Sequence, residues 1–279
     1  MNLTDTIEKI EQEATQTITR EAEDYVKDGL LYCHKCNTPK QAKINVLGHI
    51  KTPMCLCKCE YEKRMAQEAE QEKHENVESV KRLRKMGFPD AEMEKWTFDK
   101  DDRINEKLTK TARQYVEKFD HMKLVGKGLL LYGSVGTGKT FISCCIANAL
   151  IENGHPCLVT NFARLTNTIS GMYEGKQEYL DGLNKFDLII IDDLASERDT
   201  EYMGEIVQNI IDSRYRSGKP LIVTTNLTSQ ELRNPTDIRK QRIYSRLFEM
   251  CVPVEVKGKD RRKEKLKQEY EEIQEVLGI

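Results

Sequence analysis

The chain has 279 residues, 38% hydrophobic and 32% charged, with a formal net charge of −2. That length allows one large domain, or one medium domain with an appendage. The near-neutral balance excludes overall basicity as a reason to bind nucleic acid, so any such contact must come from a local patch.

Met1 to Glu13 carries acidic residues and lacks the continuous apolar core of an export signal. No run approaches the roughly 18 apolar residues of a membrane helix. Nine cysteines are present, five of them between Cys33 and Cys59. An odd, lopsided set without an export signal points to a reducing cytoplasm and a metal site rather than disulfides.

In chain order, residues 2–28 read as an amphipathic helix, with Ile7, Ile10, Ala14 and Ile18 on one stripe. It would pack on its own domain or dock on a partner. Cys33 and Cys36 then form a C-x-x-C knuckle, and Cys55, Cys57 and Cys59 alternate further on. Ala42, Ile44 and Val46, then Leu47-Gly48-His49, suggest a hairpin between them. Two thiolate pairs joined by a hairpin suit tetrahedral Zn²⁺. Cys33, Cys36, Cys57 and Cys59 are the expected ligands, with Cys55 as a spare on a strand-like backbone. A metal-free cysteine cluster or a redox pair is the alternative. Residues 60–86 are dense in charge and read as a solvated helix, ended by Gly87 and Pro89. Trp96-Thr97-Phe98 follows, and Trp96 would either cap a nucleotide base or pack on the core. Residues 104–122 read as a helix with Leu108, Ala112, Tyr115, Val116 and Phe119 on one face.

From residue 128 strands and helices alternate, which argues for a parallel sheet flanked by helices. Strands are expected at 128–132, 157–160, 187–191, 220–225 and 252–256. Helices are expected at 139–152, 162–173, 200–217 and 237–249. The fold class is therefore α/β. The expected domains are 1–60 (helix and zinc module), 61–94 (charged linker) and 95–279 (nucleotide-binding domain).

Between the first of these strands and its helix lies Gly133-Ser134-Val135-Gly136-Thr137-Gly138-Lys139-Thr140, which fits the phosphate-binding pattern G-x-x-x-x-G-K-[ST]. Gly133, Gly136 and Gly138 free the backbone so that successive N–H groups face inward. Those groups and the helix N-terminus hold phosphate oxygens. Lys139 would reach the β- and γ-phosphates of ATP, and the Thr140 hydroxyl would join a Mg²⁺ shell. Leu188 to Ile191 is a buried-strand run ending in Asp192-Asp193. Asp192 would hold Mg²⁺ with Thr140, and Asp193 would orient or deprotonate the attacking water. Glu197 is near enough in sequence to share that task. A second buried run ends in Thr224-Thr225-Asn226, where Asn226, or more weakly Thr225, would position the water. Arg242 and Arg246, four apart on one helical face, are candidates to reach the γ-phosphate of a neighbouring subunit, Arg246 first.

This order of motifs resembles the AAA+ helicase loaders of the DnaC/DnaI type, whose relatives are the IstB-like transposition ATPases. The likeness covers about residues 95–262. It is carried by Gly133 to Thr140, Asp192-Asp193-Leu194, Arg242-Ile243-Tyr244-Ser245-Arg246-Leu247 and Gly258-Lys259-Asp260-Arg261-Arg262, and the Cys-rich N-terminus is similar to that of several loaders. The resemblance implies an AAA+ domain with little or no C-terminal lid. It also implies ATP-controlled binding of a replicative helicase and of single-stranded DNA, with self-association through the ATP sites. DNA contact would fall to Arg164, Lys176 and the stretch Lys257 to Lys267. Rival readings are a transposition helper acting on duplex DNA and a non-hydrolysing, ATP-gated adaptor. A nucleotide kinase is weaker still, because no acceptor lid is visible.

Overall fold

A computed structural model of the chain describes residues 20–46, 48–102, 104–194, 201–235 and 237–277. The apolar stripe Ile7 to Ile18 and Glu197 lie outside them. The chain separates into two compact units, Met1–Val77 and Glu78–Ile279.

The first unit contains two short antiparallel hairpins, β1 (Tyr25–Lys27) with β2 (Leu30–Tyr32), and β3 (Ile44–Val46) with β4 (His49–Lys51). The expected helix over 2–28 therefore gives way to strand by Tyr25. The reason is Asp28-Gly29: both residues have positive φ, 54° and 72°. Such a two-residue turn matches the twist of a hairpin. Helix α1 (Lys58–Gly87) begins here. The strand-like run expected through Cys59 is thus replaced by a helical first turn.

In the second unit, α2 (Glu106–Glu117) and α3 (Phe119–Leu124) take the place of one expected helix. Lys118, at φ −101° and ψ 18°, breaks it. The chain then runs through β5 (Gly128–Tyr132), α4 (Lys139–Glu152), β6 (Cys157–Asn161), α5 (Phe162–Ser170) and α6 (Lys176–Leu183). It continues through β7 (Leu188–Leu194), α7 (Glu201–Ser217), β8 (Leu221–Thr225), α8 (Ser229–Arg233), α9 (Ile238–Met250), β9 (Cys251–Glu255) and α10 (Arg261–Leu277). Helices α6 and α8 have no counterpart among the expected elements. α8 is a single turn held by the capping box of Thr228 and Glu231.

The sheet is five-stranded and parallel, in the order β6-β7-β8-β5-β9. Its central strands are apolar on both faces, as helices on both sides require. Leu130, Ile189, Ile191, Leu221 and Val223 join one core with α5, α7 and α9. Leu129, Leu131, Leu188, Ile190 and Ile222 join the other with α2 and α4. Cys144, Cys145, Cys157 and Cys251 are buried in these cores. Gly128 is dictated by packing, since a Cβ there would stand 1.7 Å from the Leu221 carbonyl oxygen. Because every strand runs the same way, the loops after β5, β7 and β8 meet at one edge of the sheet, where ligands bind in open α/β folds.

Candidate functional site

The P-loop follows β5. Gly133, Gly136 and Gly138 have φ of 140°, 76° and 93°, values that residues with a Cβ rarely adopt. Gly138 caps the N-terminus of α4. Lys139 is buried and donates to the carbonyls of Gly133 (2.8 Å) and Ser134 (2.7 Å) and to Asn226 Oδ1 (2.8 Å). Burial lowers the Lys139 pKa, while the nearby carboxylates Asp192 and Asp193 pull it back up. The Thr137 hydroxyl donates to Ser134 O at 2.9 Å and closes the loop on itself.

Thr140 Oγ1 lies 2.9 Å from Asp192 Oδ1 and 3.0 Å from Oδ2. Strand alternation would send Asp192 and Asp193 to opposite faces. A bulge prevents this: Ile191 pairs with Val223 and Leu194 with Thr225, so β7 carries one residue more than β8 between those pairs. Asp193 absorbs it in the left-handed region, at φ 61°. Both carboxylates therefore line the same cleft, and Asn226 Nδ2 donates to Asp193 Oδ1 at 3.0 Å.

That cleft, about 700 Å³, is lined by the P-loop, Asp192, Asp193, Thr224 and Asn226, with Trp96 and Phe141 also on its wall. The two rings are 5.9 Å apart. Trp96 thus packs on the core with one part of its ring on the wall of the cleft. Thr225 is placed away from the cleft: it is fully buried, and its hydroxyl donates to Leu194 O at 2.9 Å.

Lys100, Asp102, Thr224, Arg261 and Arg262 also line the cleft, and sequence reasoning did not select them as site residues. Strand parity was the available signal for Thr224, which shares a face with Ile222 and Asn226. Arg261 and Arg262 lie at the start of the basic stretch considered for DNA. Here the Arg261 amide donates to Gly136 O at 3.0 Å, and its guanidinium lies against Gly138.

Arg242 and Arg246 are not among the residues lining this cleft. They sit on the outer face of α9, in a separate depression with Gln208, Asp212 and Glu249. The Arg246 guanidinium stacks 4.1 Å from the Tyr215 ring and pairs with Asp212 (3.6 Å) and Glu249 (3.4 Å). Arg164 is exposed on α5, and Lys176 is half-buried beside Tyr202.

In the first unit, one Sγ atom from each of Cys33, Cys36, Cys57 and Cys59 lies within 4.8 Å of the others. The Cys33–Cys59 and Cys57–Cys59 separations are 3.7 and 3.4 Å. Four sulfurs about 2.3 Å from a tetrahedral ion stand about 3.8 Å apart, so this donor set fits zinc. The Thr38 hydroxyl leads in pulling the Cys36 thiol down to about 5, whereas burial pushes Cys57 up. Cys55 is outside the cluster, with its Sγ directed at Pro39 O. Beside it, Lys40 is buried between Asp24 (3.0 Å) and Glu60 (3.1 Å).

The profile of the IstB-like ATP binding proteins matches residues 57–269. The chain belongs to that family. The replicative helicase loader DnaC of Escherichia coli (strain K12) is 27% identical over 140 residues, 49% of this chain and 55% of that protein. DnaI of Bacillus subtilis (strain 168), also a replicative helicase loader, is 24% identical over 149 residues, 49% and 48% of the two chains. The chain thus spans about half the length of the curated relatives it matches. A crystal structure of DnaI superposes with a TM-score of 0.53 at 25% identity, over 64% of this chain and 99% of that one. The DnaC helicase loader structure gives 0.50 at 24%, over 60% and 100%. The family member described here thus has the AAA+ P-loop fold. Among its described residues, no helix is long and apolar enough to cross a membrane.

Proposed function

We propose that this chain is an ATP-hydrolysing loader that grips a replicative DNA helicase and delivers it to single-stranded DNA. The observation that carries the proposal is the convergence of Lys139, Thr140, Asp192, Asp193 and Asn226 in one cleft, in a family of ATP-binding proteins. Similarity to curated replicative helicase loaders supports the choice of partner.

The P-loop amides would hold the phosphates of ATP, and Lys139 would exchange its carbonyl partners for β- and γ-phosphate oxygens. Thr140 and Asp192 are hard oxygen donors already in contact, which suits Mg²⁺; the ion supplies charge neutralisation on the phosphates. Asp193 would orient the attacking water and accept its proton, and Asn226 would hold that water near the γ-phosphate. Arg246, presented on the outer face of α9, would complete the site of a neighbouring copy. Cys33, Cys36, Cys57 and Cys59 would hold a structural zinc in the N-terminal module, which would grip the helicase. ATP would act through a difference in the loader's affinity for the helicase's open and closed forms. Function of this kind would be cytoplasmic.

A second reading is a transposition helper acting on duplex DNA, as the resemblance to IstB-like ATPases implies; the match to the IstB-like ATP binding proteins keeps it open. ATP turnover with no DNA, with single-stranded DNA and with duplex DNA separates the two. Stimulation by duplex DNA alone supports the helper. Turnover abolished in Asp193→Asn, with helicase capture intact, supports a gated adaptor instead.

A further inference from the structure

We propose that Thr224 is a positioning residue of the magnesium–nucleotide site, acting on both carboxylates through one hydroxyl. The inference rests on the nucleotide site proposed above. Thr224 is 2% exposed and lies on β8 between Ile222, in the core, and Asn226, in the cleft. Its Oγ1 donates to Asp192 Oδ1 at 2.5 Å and accepts from the Asp193 amide at 3.0 Å. A threonine hydroxyl has one proton and two lone pairs, so both bonds form at once.

Each bond answers a need created by the bulge in β7. The extra residue takes the Asp193 amide out of the ladder, because Ile191 and Leu194 hold the flanking pairs. A buried amide without a partner is costly, and Thr224 supplies the partner. The left-handed backbone of Asp193 is thereby tied to β8, and its carboxylate is held where Asn226 meets it. At Asp192, Thr224 engages Oδ1 alone. Thr140 spans both oxygens. The carboxylate is therefore fixed against rotation from the side of the sheet, with Oδ2 bonded to Thr140. Orienting partners of this kind tune a metal's ligands from behind. Valine has nearly the same shape and neither bond; serine has both.

The test compares the full-length parent chain with Thr224→Val and Thr224→Ser. A fluorescent ATP analogue is titrated into each in EDTA and across a Mg²⁺ series. In Thr224→Val the Mg²⁺ concentration for half-maximal gain in affinity rises about tenfold or more. Its affinity in EDTA stays within about twofold of the parent, and Thr224→Ser follows the parent, because the P-loop contacts are untouched. If Thr224→Val fails to fold, Thr224→Cys, with a weak S–H donor in place of the hydroxyl, is read in the same way. An unchanged Mg²⁺ requirement overturns the role, as does an equal loss of affinity in EDTA and in Mg²⁺. A parent that binds no analogue in either condition overturns the nucleotide-site reading and this role together; one that binds it equally well with and without Mg²⁺ overturns this role alone. A parent with a clear Mg²⁺ gain, matched by Thr224→Val, overturns this role alone.

Discussion

Arg261 Nη1 lies 3.0 Å from Asp102 Oδ1, and both side chains line the P-loop cleft. Asp260, the preceding residue, fills the space beside Gly136, where a Cβ would stand 1.9 Å from its carboxylate. The start of α10 thus rests on the P-loop through two side chains and one backbone bond, Arg261 N–H to Gly136 O. A guanidinium beside Gly138 is well placed for a phosphate, but in this arrangement it is paired with a carboxylate. Arg261→Ala is expected to weaken ATP binding by about tenfold, the worth of one charge-assisted bond. Asp102→Asn frees the same guanidinium and leaves the affinity unchanged or higher. Calorimetric titration of both variants checks this. Equal losses in the two would mean that the pair only braces the fold.

Lys139 has a tighter environment. Its ammonium is buried against two carbonyls and Asn226, a space shaped for a compact charge. Lys139→Ala should lower ATP affinity by at least about tenfold and end turnover. Lys139→Arg should not rescue either property, because the planar guanidinium is larger and its donors are fixed in a fork. Nucleotide titration and phosphate release measure the two properties separately.

Arg246 is held by Tyr215, Asp212 and Glu249 on a partly exposed surface. Such exposed ion pairs are worth only about 0–1 kcal/mol, so they do not prevent release toward a neighbour. Arg246→Ala should leave ATP affinity intact and reduce turnover by roughly 10³. Mixing Arg246→Ala chains, whose clefts are intact, with Lys139→Ala chains, which keep the arginine, should restore part of the turnover. Absence of restoration would remove Arg246 from the reaction.

In the N-terminal module, Cys33→Ser and Cys57→Ser should abolish stoichiometric zinc, while Cys55→Ser retains it, as elemental analysis of purified chains would read. Zinc affinity should fall as pH is lowered, since protons compete for the thiolates. Asp24 adds a second dependence. Burial works to raise its pKa, but hydrogen bonds from the Glu21 amide, Lys40 and His34 outweigh burial and hold the carboxyl below its usual range. A depressed folded pKa stabilises fully above the unfolded value, about 3.9, and the stabilisation is lost as pH falls toward the folded one. The module should therefore melt at lower temperature below about pH 4. Lys40→Met should remove part of that dependence, because the bonds from the Glu21 amide and His34 remain.

The nucleotide-binding sheet was legible because its strands are apolar runs bounded by turn residues, a local signal that periodicity reads well. The Lys118 break and helices α6 and α8 were not, since each is short and fixed by tertiary contacts or by a cap. Asp28-Gly29 was readable as a hairpin turn but was overridden by the helical stripe before it. In the site, the P-loop spacing located Lys139 and Thr140 directly. Strand parity, applied to Leu221 through Asn226, separates Thr224 from Thr225. The same parity fails for Asp192-Asp193, because a bulge against β8 is a relation between two strands and leaves no mark in either alone. Arg261 was read as part of a basic run; only the return of α10 to the P-loop puts it in the cleft.

The most direct test of the account is size-exclusion chromatography with light scattering on this chain mixed with its host's replicative helicase, with ATP and without nucleotide. A co-eluting complex whose stability changes with ATP is the predicted result. Absence of any complex in either state, with turnover stimulated by duplex DNA, would contradict the loader reading and favour the transposition helper.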